Sequence, residues 1–281
     1  MISCLERSRR SAEDRHPLES RMVVIRRIRD QAVEHNWFAV CVDLAIVVVG
    51  VFLGLQASDW NTARIEKGEA REYRSEIIAS LEANEADMLA RAAYYEQVHA
   101  HALAALNILS HAKSRPGEQF LVDAYLATST NRRPLERSAY DEMIASGVGR
   151  DEIGLATRAQ MAAYYAQIPQ FNENVLSIAP YKEQLRRTMI YSVQQRIAKS
   201  CADDVRTLPS GVQIVSMPGS CEVRLDPETV TTAINQLRSN HDLSLELTLQ
   251  LADLDNKLGL FRRYATLAHE LRVNLQSGGV A

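Results

Sequence analysis

Residues 37–55 read WFAVCVDLAIVVVGVFLGL, and Asp43 is the only charged residue among them. As an α-helix, these nineteen residues would span roughly 28 Å, which is close to the thickness of the hydrocarbon core of a bilayer. We therefore predict a transmembrane helix over residues 37–57. A buried helix of a soluble protein is the alternative, and the uninterrupted apolar run from Leu44 to Leu55 argues against it.

Tryptophan occurs near the two ends of this stretch and nowhere else in the chain. Trp37 and Trp60 would lie roughly 34 Å apart along a helix, and indole rings favour the two membrane interfaces. We therefore predict that both tryptophans are interface anchors.

The arginines that precede the apolar stretch determine its predicted orientation. They are Arg7, Arg9, Arg10, Arg15, Arg21, Arg26, Arg27 and Arg29. Because positively charged flanks stay in the cytoplasm, residues 1–36 are predicted to be a basic cytoplasmic tail, and residues 58–281 a domain outside the membrane. Four basic residues also follow the span, between Arg64 and Arg74, so the charge difference across the membrane is moderate.

A cleaved signal peptide is a rival interpretation of the apolar stretch. Signal peptides have a short basic region before the apolar run and small residues at the cleavage site. Here 36 residues precede the run, and Leu55-Gln56-Ala57 places a bulky leucine where a small residue is required. The sequence therefore favours an anchor over a cleaved leader.

One stripe of the predicted transmembrane helix carries a carboxylate and two glycines. Asp43, Val47, Gly50 and Gly54 are separated by four, three and four residues. Gly50 and Gly54 form a small-xxx-small pair, which allows a second helix to approach closely. We predict that this stripe packs against another copy or a partner subunit. Alternatively, Asp43 reaches the cytoplasmic headgroups and the glycines have no packing role.

The rest of the chain has the composition of a folded helical domain. Of its residues, 46% are hydrophobic and 24% charged, with only 12 glycines and 8 prolines. The first helix is predicted to continue from the membrane to about residue 111, because no proline occurs before Pro116. Further helices are predicted at residues 118–127, 135–146, 155–167, 172–177, 181–199, 227–237 and 242–275. Pro169 is expected to separate the helices at 155–167 and 172–177, and Gly147 to cap the one at 135–146.

The last predicted helix carries a heptad seam. Its members are Leu247, Leu251, Leu254, Leu258, Phe261, Ala265 and Ala268. Such a seam is more often a face inside one bundle than an intermolecular coiled coil. We predict the former, with self-association through the seam as the alternative. The fold class is thus all-α: one transmembrane helix continuing into a helical bundle.

Two of the four cysteines flank a segment of different character. Residues 201–221 contain turn-forming residues around a short β-like run at 212–215. We predict that Cys201 and Cys221 form a disulfide that closes one small irregular or hairpin excursion, and an oxidising compartment would permit that bond. Two unrelated buried thiols are the alternative.

The sequence lacks the common motifs of catalysis and cofactor binding. A net charge of −3 and a pI of 6.2 argue against nucleic-acid binding. His99 and His101 would point to different faces of a helix, and with His111 they form no metal-binding pattern. No phosphate loop, nucleophile elbow or Cys-x-x-Cys is present, so we predict no metal, no cofactor and no enzyme activity. The paired tyrosines Tyr94-Tyr95 and Tyr164-Tyr165 are interpreted as packing residues, with a ligand pocket as the alternative.

Two motifs resemble those of a bacterial family. Val49-Gly50-Val51-Phe52-Leu53-Gly54-Leu55-Gln56 followed by Asp59-Trp60-Asn61 resembles a membrane-exit motif, and Ala139-Tyr140-Asp141-Glu142-Met143-Ile144-Ala145-Ser146-Gly147, with Arg158 and Tyr164-Tyr165, resembles a middle motif. Both are similar to motifs of a family of uncharacterised single-pass membrane proteins with a domain of unknown function. The resemblance implies an anchor in the bacterial inner membrane and a helical periplasmic domain, and it implies no activity.

Three functions are compatible with these features. The first is a non-enzymatic interaction protein of the cell envelope, acting as a scaffold or accessory subunit whose partners are the lipid bilayer and another protein. The second is an extracytoplasmic ligand sensor that signals through a partner, since a tail of 36 residues is too short for a kinase or cyclase. The third is an enzyme with an unrecognised site. A polar pocket would favour the second or third, and an exposed apolar patch the first.

Overall fold

The computed structural model describes residues 37–111, 114–147, 153–208 and 211–277. The chain divides into two units, Met1–Ile65 and Glu66–Ala281. The predicted cytoplasmic tail, residues 1–36, lies outside the described residues.

Helix α1 covers Trp37–Ser110, and its beginning is the part of the first unit that the structure describes. Its most apolar window of 18 residues has a mean hydropathy of 2.7, and none of that window is buried. By length and composition, this is the one helix in the described part of the chain that is able to cross a membrane. Trp37 is 80% and Trp60 70% exposed.

The predicted packing stripe lies on this part of α1. Asp43, Gly50 and Gly54 are all exposed helical residues. A methyl group placed on either glycine would meet no atom within 4 Å. The stripe therefore has the open space that a second helix would require.

The second unit is mostly helical, as predicted. After α1 the order is α2 (Glu118–Leu126), α3 (Ser138–Ser146), α4 (Leu155–Leu176), α5 (Tyr181–Thr188), α6 (Tyr191–Ser200), β1 (Asp204–Thr207), β2 (Gln213–Ser216), α7 (Pro227–Ser239) and α8 (Asp242–Ser277). Gly147 ends α3 in the left-handed conformation with φ of 71°, which confirms the predicted cap.

Helices α1 and α8 run antiparallel within the second unit. Glu85 pairs with Arg272 at 3.2 Å and Glu96 with Arg262 at 2.5 Å, so residue numbers rise along one helix as they fall along the other. The ring of Phe261 on α8 stacks on Tyr95 of α1, with 5.4 Å between centroids. All seven residues of the predicted heptad seam are buried. The seam is thus part of the core of this chain.

Helix α4 continues through Pro169 to Leu176, so the predicted end before the proline and the separate helix at 172–177 were wrong. Proline cannot donate to the carbonyl four residues earlier. That carbonyl belongs to Tyr165, and it accepts a hydrogen bond from Arg137 Nη1 at 3.5 Å instead. Burial of Ile168 and Phe171 on either side of the proline keeps the helix against the core.

The single helix predicted at 181–199 was also wrong, because α5 and α6 are separated at Met189 and Ile190. Both residues have extended backbones, and the Met189 side chain is buried. The side-chain amide of Gln194 donates through Nε2 to the carbonyls of Arg186 and Met189 at 2.8 and 2.7 Å, which satisfies backbone groups left free by the break.

Helix α3 begins at Ser138 rather than at the predicted residue 135. The backbone amide of Leu135 donates to Asn172 Oδ1 at 2.9 Å, and its side chain is buried. This contact with α4 holds Leu135 outside the helix.

The excursion between α6 and α7 contains a β-hairpin. β1 and β2 pair antiparallel, with Val205 opposite Val215. Gly211, between the strands, has φ of 82°, a conformation that glycine adopts without strain. Cys201 and Cys221 form a disulfide across a separation of 20 residues, in agreement with the prediction. The strand β1 was not predicted.

Removing the disulfide is expected to destabilise the second unit. In the chain-entropy model, a closed loop of 20 residues contributes about 3 kcal/mol. The double variant Cys201→Ala/Cys221→Ala should lower the free energy of unfolding by about this amount in urea titrations followed by circular dichroism. Cys41→Ala, at a cysteine outside the disulfide, is the control. Equal stability of the double variant and the control would contradict the prediction.

Candidate functional site

A cleft of about 690 Å³ lies in the second unit. Helix α1 forms one wall, from Ala79 to Arg91. The irregular segment from Arg133 to Glu136, together with Ser138 at the start of α3, forms the second. The hairpin contributes a third wall, from Gly211 to Gln213. The α1 wall follows from helical spacing, since Ala79, Ala83, Asp87 and Arg91 are four residues apart.

Three charged side chains meet in this cleft. The Asp87 carboxylate accepts from Arg91 Nη2 through Oδ2, and from Arg133 Nη2 through Oδ1 at 2.6 Å. Arg91 Nη1 also donates to the backbone carbonyl of Arg133 at 2.5 Å. The residue Arg91 is only 1% exposed. Asp87 thereby joins α1 to the irregular segment, and the pairing offsets the desolvation of these charges.

The cluster has more positive charge and more donors than its own carboxylate can satisfy. Arg91 and Arg133 together with Asp87 carry a net charge of +1. The Nε atoms of both arginines are buried and have no hydrogen-bond partner among the described residues. Burial lowers the pKa of the Arg91 guanidinium, and the nearby Asp87 carboxylate opposes this effect. Of the two guanidinium groups, that of Arg133 is the more accessible from the cleft, because its side chain is 27% exposed.

The remaining walls are partly apolar. Ala79, Ala83, Pro134 and Val212 line the cleft beside the charged cluster. Asn84 Nδ2 donates to the backbone carbonyl of Glu136 at 3.0 Å, which fixes the second wall to α1. The arrangement combines a charged end with an apolar lining, as in sites for small amphipathic ligands.

The paired tyrosines lie in the core, as interpreted. Tyr165 stacks on Tyr140 with 4.1 Å between centroids, and Tyr164 packs edge-on against Tyr165. Tyr94 donates to Asp203 Oδ2 at 2.9 Å. Tyr164 also lines a second cavity, of about 160 Å³. These residues mainly build the interior.

The histidines that the sequence raised as metal ligands occupy separate places. His99 contacts Asp255 at 3.1 Å, His101 contacts Asp123 at 2.8 Å, and His111 contacts the Asn107 carbonyl at 2.7 Å. Across the described residues, no group of three or more His, Cys, Asp or Glu side chains is placed to hold a metal ion. None of these histidines lies in the cleft.

Sequence reasoning missed the cleft residues, although a pattern could have revealed two of them. Buried positions of α1 alternate steps of four and three: Ile77, Leu81, Asn84, Met88, Arg91, Tyr95 and Val98. Asn84 and Arg91 thus occupy positions at which the pattern calls for apolar residues. A polar residue in a core stripe requires a partner. The partners, Glu136 and Arg133, lie in an irregular segment that no periodicity predicts.

Neutralising Asp87 is expected to destabilise the second unit strongly. Asp87→Asn leaves two guanidinium groups next to each other without a compensating carboxylate, so the free energy of unfolding should fall by about 3–5 kcal/mol. Urea titration of the full-length protein measures this loss. The control is Asp141→Asn, which removes an exposed pair with Arg137 and should change stability little. A small effect at Asp87 would contradict the structural role assigned to the cluster.

Alkaline pH is expected to unfold the second unit through its buried tyrosines. Burial raises the pKa of Tyr164, Tyr165 and Tyr181, because each phenolate would lose its hydration. Phenols of the unfolded chain ionise near pH 10. Stability should therefore be complete below that pH and fall above it, since the unfolded state releases its protons first. Tyrosinate absorbance and helical circular dichroism should change together; full ionisation with helix content intact would contradict this.

No family model, no curated protein and no solved structure matches the chain. The membrane-exit and middle motifs therefore remain a resemblance, and the properties that the resembled family implies remain predictions.

Proposed function

We propose that the protein is a single-pass membrane protein whose helical domain works by binding rather than by catalysis. Residues 37–57 cross the bacterial inner membrane, residues 1–36 lie in the cytoplasm, and residues 58–281 form a periplasmic domain. In this arrangement the lipid bilayer is the first partner of the chain.

The exposure of the apolar part of α1 is the observation that carries this proposal. The large side chains from Leu44 to Leu55 are all more than half exposed. Leaving a Val, Leu, Ile or Phe side chain in water rather than burying it costs about 1.5–3 kcal/mol. Lipid chains remove this cost along the whole segment.

The disulfide supports the proposed side of the membrane for the helical domain. Structural disulfides form and persist in oxidising compartments such as the periplasm. The bond between Cys201 and Cys221 belongs to the second unit. The arginines of residues 1–36 independently favour a cytoplasmic N-terminus.

A scaffold or accessory subunit is the first candidate role. The stripe of Asp43, Gly50 and Gly54 offers small residues and one carboxylate to a second transmembrane helix. The residues of the heptad seam, in contrast, are buried in the core of this chain. A protein partner or a second copy of the chain would therefore contact the membrane helix.

An extracytoplasmic sensor or signalling accessory is the second candidate role, and the cleft favours it. Asp87, Arg91 and Arg133 gather polar groups in a cavity large enough for a small molecule. In this role the chain would recognise a ligand in the periplasm and act through a partner subunit.

Membrane insertion and orientation are tested on the full-length chain in its native host. The protein should stay in the membrane during alkaline carbonate washing, and proteolysis of spheroplasts should remove residues 58–281 but spare the tail. Release by carbonate would overturn the proposal, as would protection of the large domain.

Partner recovery tests the packing stripe and separates the two roles. Gly50→Leu/Gly54→Leu should strongly reduce co-purification of a partner, or self-association, because the leucine side chains keep the second helix from approaching closely. Ala45→Leu, on the opposite side of the helix, is the matched small-to-large control and should have no effect. A reproducible partner lost only in the glycine variant supports the first role. A chain that recovers no partner and is stabilised by a small molecule supports the second.

A further inference from the structure

We propose that the cleft is a binding site for a small organic monocarboxylate. The ligand's carboxylate lies against the partly exposed Arg133, beside the buried Arg91, and its apolar body lies along Ala79, Ala83 and Pro134. This inference rests on the second candidate role, ligand recognition, and names the class of ligand.

The charge of the cluster selects an anion. Two guanidinium groups share one carboxylate, Asp87, so this cluster carries a net charge of +1. Glu136 also lines the cleft, but it is exposed and forms no ion pair with either arginine, so solvent screens its charge. A buried charge without a counter-charge is unfavourable, and one bound anion removes the imbalance.

The hydrogen bonds of the cluster leave donors available for the anion. Each guanidinium has five N–H groups. Arg91 donates to Asp87 and to the Arg133 carbonyl, and Arg133 donates to Asp87. The Nε donors of both are buried and unpaired among the described residues. An oxyanion in the cleft cannot reach these buried Nε atoms. It can accept from Arg133 Nη1, because the Arg133 side chain is 27% exposed and donates to the described residues through Nη2.

The chemistry of the site favours a carboxylate over a phosphate. A monoanion neutralises the cluster, whereas a dianion would leave an excess negative charge close to Asp87. The planar guanidinium group also matches the two oxygens of a carboxylate. Glu136 is an exposed residue at the same cleft, and its repulsion of a dianion would be about twice its repulsion of a monoanion.

The size and lining of the cleft favour an organic ligand over a simple ion. About 690 Å³ is far more space than one small inorganic anion occupies, and falls within the range of small-molecule sites. Ala79, Ala83 and Pro134 offer no hydrogen-bonding side chains. They suit an apolar body attached to the carboxylate.

Calorimetric titration of the full-length protein in lipid nanodiscs tests this site, with empty nanodiscs as the blank. Three probes are compared: benzoate, benzyl alcohol and inorganic phosphate. We expect saturable binding of benzoate with one site per chain, and binding at least about tenfold weaker for the other two, because a charge-assisted hydrogen bond is lost or a dianion is placed beside Asp87. Benzyl alcohol equal to benzoate, phosphate tighter than benzoate, or no saturable benzoate binding would each overturn the proposal.

Variants locate the binding in the cleft. Arg133→Gln should weaken benzoate binding at least about tenfold. Arg132→Gln makes the same change at the neighbouring exposed residue, which does not line the cleft, and should leave binding unchanged. Equal effects of the two variants would overturn the site. If Arg133→Gln fails to fold, the three probes on the unaltered chain still decide the outcome.

The outcome is separable from that of the proposed function. Failure of benzoate to bind a chain that resists carbonate extraction and keeps its partner overturns the carboxylate site alone. Release of the chain by carbonate overturns the membrane proposal, whatever benzoate does.

Discussion

The carboxylate of Asp87 connects helix α1 to a stretch of chain that has no regular structure of its own. Backbone groups in such a stretch must find partners outside it when they are buried. Helix α1 supplies several of these partners: Arg91 donates to the Arg133 carbonyl, Asn84 donates to the Glu136 carbonyl, and the Tyr95 hydroxyl accepts from the Asn131 amide at 3.1 Å. The path of the segment between α2 and α3 therefore depends on polar side chains placed in the core stripe of α1. The cleft is the space that remains between this segment and the helix.

Helix periodicity made the long elements predictable. The absence of proline between the apolar stretch and Pro116 predicted the unbroken helix α1, and the alternating steps of four and three in the heptad seam predicted α8, whose seam residues are buried. The prediction failed where tertiary contacts decide the backbone. Helix α4 continues through Pro169, and the Tyr165 carbonyl that the proline cannot bond accepts from Arg137 instead. Helix α5 ends at Thr188, although no glycine or proline marks the end of the helix in the sequence. The four residues of strand β1 are all exposed, so no buried pattern marks them, and their pairing with β2 defines the strand.

The candidate site was less predictable than the fold, for a physical reason. Its charged residues come from a helix and from an irregular segment more than forty residues later, as in the Arg133–Asp87 contact. Local patterns carry no information about such a contact. The presence of Asn84 and Arg91 in an apolar stripe indicates that buried polar partners exist, but it does not identify them. The two units also differ in what they leave exposed. Large apolar side chains of the first unit face outward along its whole apolar window, whereas the second unit has a buried hydrophobic cluster and single exposed apolar side chains elsewhere.

The hairpin gives the disulfide a significance beyond stability. Cys201 and Cys221 enclose the residues from Gly211 to Gln213 that form the third wall of the cleft. In a chain exported as proposed, these cysteines are still thiols when the polypeptide is synthesised, and they become bonded only after translocation. Maturation of the cleft would then be tied to oxidative folding, so the finished cavity would exist on one side of the membrane only. Newly made chains in the cytoplasm would lack the disulfide that holds the third wall of the cleft. They would therefore not bind ligand before they reach the periplasm.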